Sequence, residues 1–500
     1  MALAVTIAGP HATMVDKTRT QMSDPIKPLV DYQREYFAIL DEFFIRATGQ
    51  TSSEFATVET FAHQIRSSAH SIAPRGLAAF TWVVEKLTDL YAQRGAAAFS
   101  NAKNLGGLKL VLGGGSRVHR SHLDSIQTSV LYCDTVLVPD PVLPWIEKDR
   151  SEERFSRALF LQAVHTLLSL KPLADADLPL PAVVVFPSWE KGLEERDPLT
   201  QQGISRMFAN VIASNVGEKF ETLEDIVAFA DKESGRFCEL VDQKHLLVAP
   251  GGPVEPLEQA LLRYDQHLAT WRSNDWVENY RRAPLHRRVV SSIHERVVPI
   301  YHLMANAFEF DGQPLMAIEQ QAYYFSLVSQ ASANLLEERR VVDPRTTALV
   351  ASLASRRLEW LARIPIKTLV ELRRDNENLA FREVLTRSVE RLQAAQLDDL
   401  NKVTTEVCHE ISVAIGEHEK QVRAIQEKYK RVHSETALLA GAAVIGAFIP
   451  ALTPFLGTVA PLALSAKYGA DKVNELSDKA KLRRSVIGVL AATRGDWPAS

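Results

Sequence analysis

The chain has 500 residues, of which 46% are apolar and 24% charged, and its formal net charge is -4. This composition is typical of a globular protein with about two to four domains, and it excludes a wholly disordered or collagen-like chain. The small net charge gives no overall field that would steer the protein toward nucleic acid. The 3 cysteines have spacings that fit neither a disulfide framework nor a zinc site, which indicates a reducing compartment.

The N-terminal segment 1–24 lacks the basic region that opens a secretory signal, so we expect a disordered tail or an over-extended start. Residues 25–104 show apolar side chains three and four apart, which predicts an N-terminal helical region. Its helices are expected from residue 31, at 58–71 and at 77–91, with a break at the Ala-Pro-Arg-Gly sequence of 73–76.

Four short runs rich in β-branched residues predict an α/β domain at 105–255. They are 108–112, 135–139, 182–186 and 245–249. Because the runs are almost continuously apolar, we expect strands buried on both faces, with helices such as 151–170 as the crossovers between them. The predicted fold is a small doubly wound, mostly parallel sheet, flanked by the N-terminal helices and by a larger C-terminal helical region.

The segment 256–436 is predicted to be a helical domain, and no strand is expected after the Pro-Gly-Gly-Pro sequence at 250–253. Its last helix has a heptad seam over 415–432, formed by Ile415, His418, Val422, Ile425, Tyr429 and Val432. This spacing predicts a short coiled coil, either within the chain or between the chains of a homo-oligomer.

A glycine-rich turn follows the first predicted strand. It consists of Gly113, Gly114, Gly115, Ser116 and Arg117, and a helix is expected after it. Such a turn lets backbone amides approach a phosphate, and the arginine adds a bidentate donor. The next strand ends at Asp140, near the position where dinucleotide-binding units hold a ribose hydroxyl. The sequence therefore predicts a site for a phosphate-bearing small molecule at this turn, although the cofactor or ligand itself is not identified.

Two alternatives remain for this turn. The glycines also suit a tight turn without a ligand, with Ser116 as the helix cap, because the full dinucleotide motif and the Walker lysine are both missing. If the turn belongs to an enzyme, Asp134, Asp140 and His119 are the candidate catalytic residues. No metal site is predicted, because His119 and His122 have no further ligands at a suitable spacing.

Other polar patterns give weaker signals. The stretch 271–288 mixes tryptophan, tyrosine and arginine as single-strand binders do, but the overall acidic chain disfavours nucleic-acid binding. Carboxylates at 190–197 are expected to form a solvated loop or helix start, and the histidines at 286, 294 and 302 are not expected to form one ligand set. No hydrolase motif of the G-x-S-x-G type is present.

A strongly apolar segment at 437–466 contains no charged residue and is divided by Pro450 and Pro454, which predicts an apolar helical hairpin. The residues on both sides are basic, and 467–500 is expected to be a basic C-terminal helix and tail. Membrane association on the cytoplasmic face, self-association, and burial in a protein core are the alternatives.

Two stretches, 131–142 (LYCDTVLVPDPV) and 364–392 (IPIKTLVELRRDNENLAFREVLTRSVERL), resemble segments of large uncharacterised bacterial proteins. The resemblance covers about a tenth of the chain and implies a bacterial cytosolic protein without implying an activity. In the second stretch, we expect the leucines to form a packed face and the charged residues from Arg373 to Glu377 to form an outer surface.

Together these patterns favour a bacterial ligand-sensing or interaction protein with a membrane-associating or assembly hairpin. The alternatives are an enzyme acting on a nucleotide or phosphorylated substrate at the glycine turn, and nucleic-acid binding through 271–288.

Overall fold

A computed structural model describes the following parts of the chain: residues 25–55, 61, 69–113, 120–147, 157–269, 272, 274–338, 366–375, 383, 384, 387, 388, 391, 394–396 and 398–430. The predicted N-terminal tail, the hairpin at 437–466 and the basic segment at 467–500 lie outside these residues, as does most of the helix expected at 58–71.

The helices and strands fall into three groups along the chain. The first group is α1 (Ile26–Thr48), α2 (Ala69–Leu90), a π turn (Tyr91–Gly95) and α3 (Ala96–Lys103). The second group is β1 (Lys109–Leu112), α4 (Arg120–Ser129), β2 (Thr135–Pro139), α5 (Leu143–Glu147), α6 (Arg157–Leu168), α7 (Lys171–Ala174) and β3 (Val183–Phe186).

The third group is α8 (Glu190–Arg196), α9 (Pro198–Val216), α10 (Leu223–Lys232), α11 (Ser234–Gln243), α12 (Leu257–Ala269), α13 (Asn274–Arg282) and α14 (Leu285–Glu309). It is followed by β4 (Gln313–Leu315), α15 (Glu319–Glu338), α16 (Ile366–Arg374) and α17 (Leu400–Lys430).

The four strands form one parallel sheet in the order β3-β2-β1-β4. In register, Lys109 lies beside Thr135, and Leu112 lies beside Leu315. The side chains of β1 and β3 are buried throughout, as expected for runs that are apolar on both faces. An α/β fold with a small parallel sheet, flanked by helices, is therefore confirmed.

Two strand predictions are wrong. Residues 245–249 are not a strand, because side chains of α15 bind this backbone instead: Gln320 Nε2 donates to Val248 O at 2.8 Å, and Tyr324 Oη accepts from Val248 N at 3.0 Å. The second error is the expectation of no strand after 250–253. The fourth strand of the sheet is β4, which follows a turn in which Asp311 has a φ of 51°.

The N-terminal helices pack directly on the sheet. The buried apolar residues of α1 are Leu29, Tyr32, Tyr36, Phe37, Leu40, Phe43, Phe44 and Ala47. Gln33, which is also buried, donates from Nε2 to Val185 O at 2.7 Å and accepts at Oε1 from Val185 N at 2.9 Å. This amide takes the place of a neighbouring strand, so the edge strand β3 has paired backbone groups at Val185.

The break predicted at 73–76 is also wrong, since α2 runs through these residues from Ala69 to Leu90. Pro74 lacks a backbone N–H, but the loss of this one donor near the start of α2 does not end the helix. The α-helical hydrogen-bonding pattern is interrupted later, at the π turn, and it resumes in α3.

Arg373 is buried, contrary to the expected charged surface at this position. Its guanidinium donates to the carbonyl oxygens of Val130, Cys133 and Asp134, which follow the C-terminal end of α4. Arg374, the next residue, is exposed. Arg373 therefore binds α16 to the carbonyls beyond α4, in addition to the buried packing of Leu369 and Leu372.

The first half of α17 packs within the chain. Val407, Ile411 and Ile415 are buried, and Arg391 pairs with Glu406 and Glu410. The predicted coiled coil at 415–432 begins where this packed half ends, and Ile415 is its one seam residue with a described side chain. The seam side chains after residue 417 lie outside the described side chains, so the homo-oligomer stays a prediction.

Candidate functional site at the carboxyl edge of the sheet

The carboxyl ends of the parallel strands meet at one edge of the sheet. At this edge β1 continues into Gly113, whose N–H donates to Leu315 O at 2.8 Å and whose carbonyl accepts from Gln321 Nε2 at 3.0 Å. A Cβ atom at Gly113 would lie 2.8 Å from Leu303 Cδ2. The space where β1, β4, α14 and α15 meet therefore has no room for a Cβ atom at Gly113.

Both backbone polar groups of Gly113 are used within the protein, so this residue offers no free amide to a phosphate. The predicted phosphate contacts then belong to the rest of the turn, Gly114, Gly115, Ser116 and Arg117. These four residues and His119 lie outside the described part of the chain. The helix predicted after the turn is present as α4, which begins at Arg120.

Asp140 lies at the same edge, directly after β2, but its carboxylate is enclosed. Tyr36 Oη donates to Oδ1 at 2.8 Å, Tyr91 Oη donates to Oδ2, and the Val142 N–H donates to Oδ1 at 2.8 Å. Burial raises the pKa of Asp140, while the tyrosine hydroxyls and the Val142 N–H oppose the rise. Asp140 thus joins the N-terminal helices to the sheet, and this geometry gives no support for a ribose-binding role.

Asp134 lies at the opposite, amino edge of the sheet. Its Oδ2 accepts from the Leu108 N–H at 2.7 Å, just before β1 and β2 begin. Gly107 passes so close to this carboxylate that a Cβ there would lie 2.5 Å from Oδ2. The structure therefore does not bring Asp134 together with Asp140 and the glycine turn.

A cluster that the sequence did not predict lies between α8 and α14, beside the carboxyl edge. Asn306 Nδ2 donates to Glu190 Oε1 at 2.7 Å, and His302 Nε2 lies 2.9 Å from Glu194 Oε1. Each helix contributes two residues four apart. The earlier residue of α8 contacts the later residue of α14, so the two helices run antiparallel. We call Glu190, Glu194, His302 and Asn306 the carboxylate–imidazole cluster.

The sequence predicted a solvated loop or a helix start for these glutamates, and the helix start is present, because α8 begins at Glu190. The electrostatics of the cluster differ from those of a solvated loop. Burial raises the pKa of Glu190, and the repulsion from Glu194 adds to the rise; His302 and the Asn306 hydrogen bond oppose it. Glu190 and Glu194 are nevertheless partly exposed. The cluster therefore combines a perturbed carboxyl group with access to solvent, which is common at functional sites.

The backbone around the cluster is unusual. Trp189, directly before Glu190, has a φ of 49°, a left-handed conformation that is rare for a bulky residue. Its ring lies over Gly95 in the π turn, where a Cβ atom would be 3.2 Å from Trp189 Cη2. Strained residues and π turns both occur frequently at functional sites.

The stretch 271–288 offers little free positive charge among its described residues. Four arginine side chains pair with nearby carboxylates: Arg272 with Glu295, Arg281 with Asp265, Arg282 with Glu278, and Arg287 with Asp231. The guanidinium of Arg288 lies 5.8 Å from the ring centroid of Tyr280. Trp276 stacks on Tyr280, with ring centroids 5.6 Å apart. These contacts weaken the case for nucleic-acid binding, which needs unpaired cations and accessible aromatic faces.

Among the residues that the structure describes, no group of three or more histidine, cysteine or acidic side chains has the arrangement of a metal site. No helix within the described ranges is long and apolar enough to cross a membrane. The chain matches no protein-family model, no curated protein and no solved structure.

Proposed function

We propose that the protein binds a small phosphate-bearing molecule, such as a nucleotide, at the carboxyl edge of its sheet. The observation that carries this proposal is the strand order β3-β2-β1-β4 with all strands parallel. In open α/β sheets, ligands bind outside the carboxyl ends of the strands, where the strand order reverses. In this sheet that point lies between β1 and β4, and the turn 113–117 follows β1 directly.

Two helices support the binding of an anion at this edge. The helix α4 begins at Arg120, three residues after the turn, and α15 begins at Glu319, four residues after β4. The N-terminus of a helix carries unpaired N–H groups and a partial positive charge, which favour a phosphate. The guanidinium of Arg117 adds a donor for two phosphate oxygens.

The proposal is tested by thermal unfolding of the full chain with AMP, ADP, ATP, NAD⁺, glucose 6-phosphate or inorganic phosphate. A ligand at a hundred times its Kd stabilises the folded state by about 2.7 kcal/mol, which raises the midpoint by several degrees. We expect at least one of these compounds to do so. We expect Arg117→Ala and Gly114→Val each to raise the Kd of that compound at least tenfold. Arg206→Ala, an exposed arginine on α9, is the matched control.

If none of the six compounds shifts the midpoint, or if Arg206→Ala weakens binding as much as Arg117→Ala does, the proposed site is wrong. A response to inorganic phosphate alone would restrict the ligand to the anion itself. Tighter binding of a nucleotide than of phosphate would indicate that the sugar and base also contact the protein.

We further propose that 437–466 associates with the cytoplasmic face of a membrane or with another copy of the chain. The support is its composition, with no charge over the whole segment and basic residues on both sides. The full chain and a version lacking 437–466 are fractionated through salt and alkaline carbonate washes. Retention of the full chain alone in the membrane fraction supports insertion, and equal solubility of both versions excludes it.

A further inference from the structure

We propose that Asp140 is a proton-dependent switch, which closes the π turn and Trp189 over the carboxyl edge when protonated and opens them when it loses its proton. In the open state, the π turn moves away from Asp140, and water reaches the carboxylate. The inference goes beyond the proposed function and does not depend on it, because none of its residues belongs to the glycine turn.

The side chain of Asp140 is enclosed by neutral groups. Asp140 is 2% exposed, and its N–H donates to Phe186 O at 2.9 Å. Its Oδ1 accepts from Tyr36 Oη and from the Val142 N–H, each at 2.8 Å, and its Oδ2 accepts from Tyr91 Oη. Within the described part of the chain, no cationic side chain pairs with it. A buried carboxylate without a cationic partner is less stable than the same carboxylate in water.

The same contacts accommodate a protonated carboxyl group. A hydrogen atom on Oδ2 of Asp140 can be donated to Tyr91 Oη, while Oδ1 still accepts from Tyr36 and Val142. The Tyr91 hydroxyl can then donate to Tyr36, with which it also forms a hydrogen bond. Burial raises the pKa of Asp140 and exceeds the opposing effect of the donors. Proton uptake therefore stabilises the closed arrangement.

The titratable groups around Asp140 leave it as the switching group. Arg94 of the π turn pairs with Glu35 of α1 at the surface. Burial raises the pKa of Tyr32, as it does for the two tyrosines that donate to Asp140, so all three hydroxyls stay protonated. Asp140 is therefore the buried group in this network that loses its proton first as the pH rises.

The π turn connects Asp140 to Trp189. Tyr91 is the first residue of this turn, and Gly95 is the last. A Cβ atom at Gly95 would lie 3.2 Å from Trp189 Cη2, so the indole ring is in contact with the turn. Trp189 has a φ of 49°, and a strained conformation of this kind persists only while neighbouring contacts hold it. Movement of Tyr91 away from Asp140 thus displaces the contact that holds Trp189, directly before α8.

The closed arrangement opens more easily at the π turn than at α1. The helix α1 is held by its buried apolar residues and by the two hydrogen bonds between Gln33 and Val185. The π turn interrupts the α-helical hydrogen bonds, and Tyr91 is 7% exposed whereas Tyr36 is 0% exposed. Local opening requires fewer buried contacts to break on this side, so water reaches Asp140 from the π turn.

The test is hydrogen–deuterium exchange of the full chain between pH 4 and 8, with exchange times scaled for the intrinsic amide rate at each pH. Because the pKa of Asp140 is raised in the closed state, closure is most favourable at low pH. We expect opening at 90–97 and 186–192 to increase by up to tenfold for each pH unit above about 3.9, and to level off above the closed-state pKa of Asp140. Both peptides should exchange at least tenfold faster than 108–112, since the sheet stays folded.

Asp140→Asn is the most direct variant, because its amide has the shape of a neutral carboxyl group. Its Oδ1 accepts from Tyr36 and Val142, and its Nδ2 donates to Tyr91 Oη. We expect both peptides in this variant to open equally at all pH values, within twofold, and less than wild type at pH 8. Asp89→Asn, exposed on α2, is the matched control and should keep the wild-type pH dependence.

Trp189→Ala tests the connection to α8. This variant should keep the pH dependence at 90–97 and lose it at 186–192, because the ring that contacts the π turn is missing. Opening that is independent of pH in wild type, or the wild-type pH dependence in Asp140→Asn, overturns the switch. Exchange of 90–97 at the rate of 108–112 also overturns it, because opening is then global unfolding. If Asp140→Asn does not fold, the wild-type profile and Trp189→Ala still decide.

Discussion

Replacing Gln33 tests how the N-terminal helices are joined to the sheet. In Gln33→Leu, which keeps the side-chain volume, the N–H and carbonyl of Val185 both lose their partner in a buried environment. Each unsatisfied backbone group costs about 1–3 kcal/mol, so we expect the loss of two partners to lower the free energy of unfolding by about 2–6 kcal/mol. The measurement is urea-induced unfolding followed by circular dichroism.

The matched control is Gln259→Leu, which makes the same change at an exposed position of α12 and should stay within about 0.5 kcal/mol of wild type. Gln33→Glu gives a further test, because a carboxylate accepts from Val185 N but repels Val185 O. Its folded-state pKa should be raised, so its deficit relative to wild type should shrink as the pH falls toward about 4.3, the ordinary glutamate value. A loss below about 1 kcal/mol in Gln33→Leu would refute the pairing as a stabilising contact.

Three further perturbations follow from buried contacts. Gly113→Ala should destabilise the protein by about 1–3 kcal/mol through the clash with Leu303, and less in a Leu303→Ala background, as measured by a double-mutant cycle in urea. Arg373→Ala should cost about 3 kcal/mol, because three carbonyls lose a charged donor, whereas the exposed Arg374→Ala should change the urea midpoint little. Burial lowers the pKa of His165, so stability should fall as the pH drops through about 6.5, and His165→Phe should reduce that slope in thermal unfolding between pH 5 and 8.

The central strands could be predicted from sequence because their signal is local. The runs at β1, β2 and β3 are apolar throughout, and burial on both faces requires that pattern. The strand β4 has only the residues Gln313 to Leu315 and no β-branched side chain. It pairs because Gly312 brings the backbone close to Val111 and Lys109, a tertiary effect that composition does not reveal.

Residues 245–249 illustrate the opposite error. Their composition is that of a strand, and four of them, Leu246 to Ala249, are buried. The N–H and carbonyl of Val248 bond to side chains of α15, more than 70 positions later in the chain. A local pattern predicts burial for this segment, but it does not predict which partner satisfies the backbone.

The candidate site was only partly predictable for the same reason. The glycine turn was visible as a strand, a turn and a helix. The carboxylate–imidazole cluster was not, because Glu190 and Asn306 are 116 positions apart. The available signal was the spacing of four between Glu190 and Glu194 and again between His302 and Asn306. The pairing of these two helix faces depends on how α14 crosses the sheet, which the sequence alone does not give.

Hydrogen–deuterium exchange of the full chain, with and without a saturating nucleotide from the binding screen, tests the central claim most directly. Peptides covering 112–123 and 316–322 should exchange more slowly with the nucleotide bound, because they connect the carboxyl ends of β1 and β4 to the first residues of α4 and α15. Protection confined to other parts of the chain, such as 271–288, or no protection at all, would contradict a ligand site at the carboxyl edge.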